Sequence, residues 1–281
     1  MGNAQTKSYT VKILSFLRRL LFPPRCRVCG GLLPWEASAV GVSHIKERCL
    51  AFYQEMAPVM CGVCMRGTKV PEGVRCSICG VPIEGVSLDP PRCGVCMAPN
   101  RILEKVVSLF LYEGGPAHGV RSLKYHNKRA LAPPMGRLLY GAIEEIGAVD
   151  LVVPVPLHLS RLRKRGFNQA SLLCEVLEKK GYAVAHDLLL RRRNTDSQAG
   201  LSRKARLKNV QGAFEVKEKR LVKGRTILLV DDVLTTGSTL SACGRVLRSA
   251  GAESVSALAF ARRDTGFLQS AYHKTAGWRA T

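Results

Sequence analysis

Hydrophobic residues beyond position 100 fall into two alternating patterns. Some form short continuous runs, as in ILLV at 227–230, which is typical of a strand buried on both faces. Others recur at helical spacing and end near a glycine, as in 165–181. The alternation predicts an α/β fold with a mainly parallel sheet flanked by helices. Strands are predicted at 106–112, 150–156, 185–190, 212–216, 226–232 and 254–261, and helices at 131–147, 165–181 and 238–251.

The first hundred residues lack this periodicity and are rich in cysteine, glycine and proline, which predicts a small module held together by metal. In the segment 11–22, apolar residues at helical spacing are mixed with cations, so this helix is too short and too charged to span a bilayer. We expect it to pack on protein, with weak peripheral membrane contact as the alternative. The predicted units are the N-terminal helix (1–22), a double zinc-ribbon module (23–99), the α/β domain (100–263) and a loose C-terminal tail (264–281).

Nine of the eleven cysteines lie before residue 97, and eight of them form four Cys-x-x-Cys pairs. A structural zinc ion takes four thiolates in a tetrahedron, and each pair supplies two of them. The simplest arrangement joins successive pairs into two sites, and the alternative is a single site that leaves the other cysteines unused. No secretory signal peptide precedes the pairs, which favours a reducing cytoplasm over disulfides. Cys49 stands outside the pattern, and its role is open. The predicted zinc ligands are Cys26, Cys29, Cys61, Cys64, Cys76, Cys79, Cys93 and Cys96.

The chain carries 43 Lys and Arg residues against 21 Asp and Glu, a formal charge of +22. Such a charge attracts polyanions, whether nucleic acid, anionic membrane or a phosphorylated small molecule. The segment LKYHNKRA at 123–130 mixes cations with Tyr125 and His126. We interpret it as a solvated basic face, with binding of single-stranded nucleic acid as the alternative. The absence of G-x-x-x-x-G-K-[ST] excludes a P-loop nucleotidase.

Two of the scarce carboxylates, Asp231 and Asp232, stand side by side where the strand 226–232 ends. At the carboxyl end of a parallel strand, backbone N–H groups and the next helix N-terminus favour an anion. The carboxylates suit sugar hydroxyls or water on Mg²⁺, and a helix N-cap would account for only one polar residue of the run. The residues predicted to hold a phosphate are Thr235, Thr236, Gly237, Ser238 and Thr239.

Four hydrophobic residues, two acidic residues and VLTTGSTL together resemble the phosphoribosyl-diphosphate (PRPP) motif of type I phosphoribosyltransferases. The segments 152–173, which contains RGFNQ, and 191–214, which contains SQAGLSRKAR, are similar to the ComF family, as are the cysteine pairs after LLFPPRC. ComF is the competence-associated branch of that fold. The resemblance covers about residues 20–262 and implies a type I phosphoribosyltransferase-like sheet behind a zinc ribbon.

The resemblance also implies roles for the basic segments. In the family fold the loop after the VPVP strand faces the diphosphate, and Asp231 and Asp232 would hold the ribose hydroxyls, directly or through Mg²⁺. Stabilising the charge of the leaving diphosphate is the main expected contribution to catalysis. The predicted catalytic residues are therefore Asp231, Asp232, Arg163 and Arg165, with Arg161, Lys164 and Arg193 as further phosphate ligands. A segment from Arg191 onward resembles a flap that closes over PRPP, continuing through Thr195, Ser197, Gln198, Arg203, Lys204, Arg206 and Lys208.

Two functions are compatible with these features. In the first, the protein binds PRPP and Mg²⁺ and transfers the phosphoribosyl group to an acceptor that the sequence does not identify, in connection with DNA uptake. In the second, the pocket is regulatory or idle, and the protein is a nucleic-acid-binding or scaffold component with single-stranded DNA and DNA-processing proteins as partners. The charge does not separate them, because PRPP and DNA are both polyanions.

Overall fold

A computed structural model describes residues 21–34, 46–83, 89–94, 96–98, 101–193 and 212–263. The predicted N-terminal helix, apart from its last two residues, lies outside the described residues, as do the flap beyond Arg193 and the C-terminal tail. Within the described ranges, no helix is long and apolar enough to cross a membrane.

The described strands form one parallel sheet of four strands and one antiparallel pair. The parallel sheet has the order β1-β6-β5-β2, so the ILLV run lies in a central strand, and the mainly parallel α/β fold is confirmed. β3 and β4 pair with each other in the second sheet. The strands are β1 (Val106–Leu111), β2 (Leu151–Pro154), β3 (Leu189–Arg191), β4 (Phe214–Val216), β5 (Thr226–Leu234) and β6 (Ser254–Arg262).

The helices agree with the sequence-based prediction in part. They are α1 (Glu47–Met56), α2 (Gly62–Met65), α3 (Gly114–Tyr125), α4 (Ala132–Tyr140), α5 (Leu159–Arg165), α6 (Gln169–Lys179) and α7 (Ser238–Ser249).

The prediction of one helix over 165–181 is wrong at its start. Gly166 adopts φ 79°, a left-handed conformation that ends α5, and a new helix begins after it. The side chain of Asn168 caps α6 by accepting a hydrogen bond from the N–H of Ala170 at 3.1 Å. Helix α3 was not predicted, because three glycines give its sequence a low helix propensity.

The sheet separates two hydrophobic layers. Leu228 and Val230 face one layer, and Ile227 and Leu229 face the other, as the alternation of side chains along a strand requires. The first contains buried residues of α1, α3, α4 and α6 and is called the α3 layer below. The second contains those of α7, β3 and β4 and is called the α7 layer.

The cysteine-rich segment contributes directly to the α3 layer. Phe52 of α1 is fully buried, and its ring packs edge-on against Phe110 of β1, with 5.1 Å between the ring centroids. The side chain of Arg137 in α4 donates to Glu55 of α1 at 2.7 Å. One hydrophobic layer therefore crosses the boundary predicted near residue 100, and the division of the chain into modules stays a prediction.

Candidate functional site

The two adjacent aspartates lie near the carboxyl end of β5, where the chain leaves the centre of the sheet. β2 is parallel to β5 and pairs with it directly, so the segment that follows β2 emerges at the same edge. The carboxyl edge of an open parallel sheet is where ligands bind in this class of fold.

Asp232 forms a buried ion pair with a lysine that the sequence analysis did not select. The Nζ of Lys124, at the end of α3, lies 2.7 Å from Asp232 Oδ1, and the two side chains are 19% and 6% exposed. Burial lowers the pKa of Lys124, but the negative charges of Asp232 and Asp231 outweigh it and raise the pKa overall. The other carboxylate oxygen, Asp232 Oδ2, is buried and has no hydrogen-bond partner within the described part of the chain.

Asp231 has a different environment. Its Oδ1 accepts a hydrogen bond from the backbone N–H of Asp232 at 2.8 Å. Burial and the negative charge of Asp232 raise its pKa to about 7, against the opposing charge of Lys124. Asp231 therefore changes its charge near neutral pH, whereas the neighbouring carboxylate has an ammonium ion beside it.

Neighbouring side chains of a strand point to opposite faces of the sheet, and the surroundings of the two aspartates agree with this geometry. Asp232 contacts Lys124 of the α3 layer. Asp231 lies close enough to Cys243 of α7 for its charge to add to burial in raising the pKa of that thiol. The two side chains thus leave the strand towards opposite faces, but their carboxylates stay close enough to interact, and the charges of both act on Lys124.

The basic segment after β2 is a short helix rather than the predicted loop. The N–H of Ser160 donates to the Nδ1 of His158 at 3.2 Å and starts α5, because this side-chain acceptor satisfies an amide of the first turn. Arg161 and Arg165 are four residues apart and share a face of this helix, whereas Arg163 and Lys164 are exposed on another. The prediction of a loop is therefore wrong, and the helix pairs Arg161 with Arg165, whereas the prediction groups Arg163 with Arg165.

Arg165 lies close enough to Asp232 for the two charges to interact. Burial lowers its pKa, the negative charge of Asp232 opposes that shift, and the positive charge of Arg161 adds to it. Its guanidinium lies 5.6 Å from the ring centroid of Tyr125, which follows Lys124 in α3. The structure thus places Arg165 near Asp232, with Arg161 close to Arg165, and the predicted roles of all four cations stay predictions.

The second basic segment also separates into different environments. Arg191, the last residue of β3, is half-buried. Burial and the positive charge of Arg161 lower its pKa, and the negative charge of Asp231 opposes that shift. Arg192 instead forms an exposed ion pair with Glu215 at 2.7 Å. Arg193, the predicted phosphate ligand, is exposed, and its role stays a prediction. The remaining predicted flap residues lie outside the described residues: Thr195, Ser197, Gln198, Arg203, Lys204, Arg206 and Lys208.

The turn after β5 has the geometry expected at an anion site. Gly237 adopts φ 73°, in the left-handed region that favours glycine, immediately before α7 begins at Ser238. The hydroxyls of Thr236 and Ser238 lie 3.0 Å apart. α7 is twelve residues long, so its N-terminus presents backbone amides and a positive dipole end beside Asp231 and Asp232. Thr235 in this turn and Thr239 in the first turn of α7 are half-buried.

The interpretation of 123–130 as a solvated face is wrong for Lys124 and holds for 125–130, which are exposed. Arg129 nevertheless packs over the ring of Phe167 at 4.6 Å, so this segment lies against the RGFNQ motif. The buried position of Lys124 follows from its place in α3, next to the buried Leu123. Recognising that helix in the sequence would have revealed it.

The eight paired cysteines form two groups of four, which agrees with the joining of successive pairs. The first group is Cys26, Cys29, Cys61 and Cys64, and the second is Cys76, Cys79, Cys93 and Cys96; within each group all sulfur atoms lie within 4.8 Å of one another. Closest sulfur pairs of 3.7 Å occur in both groups. A zinc tetrahedron with Zn–S bonds of about 2.3 Å has edges of about 3.8 Å. Both groups can therefore hold zinc.

Hydrogen bonds in the first group suit a metal-bound thiolate. The backbone N–H groups of Val28 and Cys61 donate to the sulfur of Cys26 at 3.4 and 3.3 Å. Cys49 belongs to neither group: it is buried in α1, and its thiol lies 3.6 Å from the carbonyl oxygen of Thr68. Its side chain is a packing residue beside the first group.

Comparisons with known proteins support the assignment of the fold. The sequence profile of the family described as phosphoribosyl transferase domain matches residues 158–277 of this chain. DNA utilization protein YhgH of Escherichia coli is 31% identical over 205 residues, covering 70% of this chain and 87% of that protein. Competence protein F of Haemophilus influenzae is 33% identical over 151 residues, covering 51% of this chain and 66% of that protein.

Among solved structures, orotate phosphoribosyltransferase of Mycobacterium tuberculosis is similar to part of the chain. Its sequence identity is 19%, the match covers 56% of this chain and 73% of that chain, and the TM-score is 0.32. With so partial an overlap, the fold assignment rests on the domain match and the parallel strand order.

Proposed function

Because the chain belongs to the ComF family of phosphoribosyltransferase-like proteins, we propose that it binds PRPP with Mg²⁺ at the carboxyl end of β5. The observation that carries the proposal is the oxygen Oδ2 of Asp232, buried and without a hydrogen-bond partner among the described residues. Leaving a buried carboxylate oxygen without a partner costs free energy, and a sugar hydroxyl or a hydrated cation would remove that cost.

Each part of PRPP has a matching group in the site. Asp231 and Asp232 would hold the ribose hydroxyls, and Mg²⁺ would neutralise charge on the diphosphate when bound. The turn 235–239 and the N-terminus of α7 would hold the 5′-phosphate. Arg165 interacts with the charge of Asp232, Arg191 interacts with that of Asp231, and Arg161 lies near both arginines. These three cations would attract the diphosphate, while Arg163, Lys164 and Arg193 would act only if the ligand reached their exposed positions.

The reaction that this arrangement would support is transfer of the phosphoribosyl group. The bond between ribose C1 and the diphosphate oxygen breaks as a nucleophilic acceptor bonds to C1, and the leaving diphosphate takes the electron pair. The arginines would stabilise the negative charge that develops on it. The described residues do not identify the acceptor, so its chemical class stays open.

A second function, binding of nucleic acid, is supported by the outward face of the same region. Arg163 and Lys164 are exposed on α5, and Tyr125 is 69% exposed beside the guanidinium of Arg165. Cations and an exposed ring suit a single strand of nucleic acid. The names of the curated relatives connect those proteins with DNA utilization and competence. A reducing compartment such as the cytoplasm would keep the eight paired cysteines available as zinc ligands.

Calorimetric titration with PRPP and Mg²⁺ tests the first function. We expect the wild type to bind and the double variant Asp231→Asn, Asp232→Asn to lose binding while keeping its zinc content, because the amides cannot hold a cation or accept from hydroxyls in the same way. A matched control is Asp150→Asn with Asp187→Asn, which changes the charge equally. Asp150 accepts from the N–H of Thr226 at the amino end of β5, away from the site.

Retention of PRPP affinity in the site variant would contradict the assignment of the two aspartates. Titration of the wild type with single-stranded DNA over a salt series separates the second function from the first. Contacts to an extended backbone weaken steeply with salt through counterion release, whereas a closed pocket responds less.

A further inference from the structure

Helix α3 connects the first cysteine group with the site, and its two ends make different contacts. At the amino end, the N–H of Gly115 donates to the carbonyl oxygen of Arg66 at 3.1 Å. A Cβ atom on Gly114 would lie 2.2 Å from the carbonyl oxygen of Gly67, so the two backbones are in direct contact. The helix therefore begins on the segment that follows the ligand Cys64.

The cysteine group itself contacts the next turn of α3. The Nδ1 of His118 lies 2.9 Å from the carbonyl oxygen of Cys64, whose sulfur is one of the four in the first group. Met65, which follows Cys64, is held by two further hydrogen bonds. The hydroxyls of Tyr53 and Thr68 donate to its carbonyl oxygen at 3.1 and 2.7 Å. The surface on which α3 rests is thus built by the first group and its neighbours.

At its other end, α3 carries Lys124, whose ammonium lies 2.7 Å from Asp232. Lys124 stands nine positions after Gly115, which is about 14 Å along a helix that rises about 1.5 Å per residue. Val120 and Leu123 are fully buried between these ends and hold the helix in the α3 layer. A displacement at the amino end is therefore transmitted along a packed helix to the ion pair.

We propose that the first cysteine group positions Lys124 against Asp232 through α3, and that phosphosugar binding depends on this group. The inference rests on the proposed function and deepens it. Lys124 is the positioning residue: its ammonium holds Oδ1 of Asp232 in place and leaves the buried Oδ2 for the ligand.

The second cysteine group makes its described contacts elsewhere. The carbonyl oxygen of Ile78 accepts from the N–H of Val106 in β1 at 2.6 Å, and that of Cys79 accepts from the side chain of Arg262 in β6 at 2.9 Å. These contacts reach strands β1 and β6, whereas the contacts of the first group reach the helix that carries Lys124. The dependence should accordingly be specific to the first group.

Two glycines of α3 provide a matched pair of variants. A Cβ atom on Gly115 would lie 2.6 Å from the hydroxyl oxygen of Thr68, 2.8 Å from the ring of Phe52 and 2.9 Å from the carbonyl oxygen of Met65. A Cβ atom on Gly119 would lie no closer than 3.9 Å to its neighbours, an ordinary contact. Each substitution replaces one glycine of α3 with alanine. Only Gly115→Ala places its Cβ atom against the residues on which the helix rests, and the helix or those residues must move to accommodate it.

We expect Gly115→Ala to weaken PRPP binding about tenfold, a typical coupling between residues that share a network. Its zinc content should be retained, and Gly119→Ala should bind as the wild type does. In a Lys124→Gln background, which keeps a hydrogen-bond donor but removes the charge, Gly115→Ala should cause no further loss. Thermal melting establishes that every variant is folded at the temperature of the titration.

A ligand-free measurement separates this inference from the proposed function. Labelling with an amine-reactive reagent, read by mass spectrometry, should modify Lys124 slowly in the wild type and in Gly119→Ala, and several-fold faster in Gly115→Ala. Faster labelling with no PRPP binding by the wild type would support the positioning and overturn the proposed function alone. Unchanged labelling of a folded Gly115→Ala variant, or an equal loss of affinity in both backgrounds, would overturn the positioning.

Discussion

The two layers on either side of the sheet provide different surroundings for the adjacent carboxylates of Asp232 and Asp231. On the side of the α3 layer, the Nζ of Lys124 lies 2.7 Å from Oδ1 of Asp232. Towards the α7 layer, burial and the charge of its neighbour raise the pKa of Asp231 to about 7. Two residues that are identical in type and adjacent in sequence thus acquire different chemistry from their surroundings.

The cysteine groups show the same difference. Cys26 and Cys64 of the first group are members of the α3 layer itself, together with Phe52. The second group forms a small hydrophobic cluster of its own with Ile78 and Val81, and among its cysteines Cys79 also packs against the α7 layer. A repeated sequence motif therefore has a central structural position in one case and a peripheral position in the other.

The largest expected effect of this difference concerns metal binding. Cys64→Ser and Cys96→Ser should each remove about one zinc equivalent, since each group can supply four thiolates to one ion. Cys64→Ser should lower the free energy of unfolding by at least about 4 kcal/mol, because loss of a structural metal from a shared core is among the most damaging changes. Cys96→Ser should lower it less. Metal analysis combined with denaturant unfolding measures both quantities, and equal losses of stability would contradict the comparison.

A smaller effect is expected from truncating the apolar residues next to each group. Phe52→Ala should lower the free energy of unfolding by about 3–5 kcal/mol, because a buried ring is lost from a continuous layer. Ile78→Ala, in the small separate cluster, should lower it by about 2 kcal/mol, the low end for such a change. Denaturant unfolding at equilibrium measures the difference. A larger loss for Ile78→Ala would mean that the second group, not the first, is the more central.

The smallest effect concerns pH. PRPP affinity should fall as the pH is lowered through about 7, by up to about tenfold per pH unit, because protonation of Asp231 removes the charge that the ligand site uses.

The free energy of unfolding should respond to pH in the opposite direction. The pKa of Asp231 in the folded protein lies above its ordinary value of 3.8, so the stability it contributes is complete below that value and is lost as the pH rises through about 7.

Calorimetric titrations from pH 6 to pH 8 measure this dependence, with pH values chosen about one unit to either side of the pKa. Asp231→Asn should bind more weakly but without the slope near pH 7, and Asp150→Asn should retain the slope. Persistence of the slope in Asp231→Asn would assign it to a different group and would remove the contrast between the two carboxylates.

Local patterns predicted the elements whose positions depend on nearby residues. The apolar run 227–230 predicted a buried strand, and it lies at the centre of the sheet. The order of the four cysteine pairs favoured two groups made of successive pairs, and Gly237 marked the turn before α7. Helix α3 escaped prediction because its glycines oppose helix formation locally, and packing on Arg66 and Gly67 outweighs that propensity.

The sequence by itself determined the class of fold, the four Cys-x-x-Cys pairs and the pair of carboxylates before a glycine turn, because each is encoded in local patterns of neighbouring residues. It favoured two four-cysteine groups over a single one, and the structure brings two groups together. Only the tertiary structure decided which cations meet those carboxylates. Lys124, Arg165 and Arg191 come from three separate elements. The basic residues adjacent to two of them in the sequence, Lys164 and Arg192, are exposed instead. The physical reason is that helix faces and strand alternation select side chains by direction, and that direction is set by packing between distant segments.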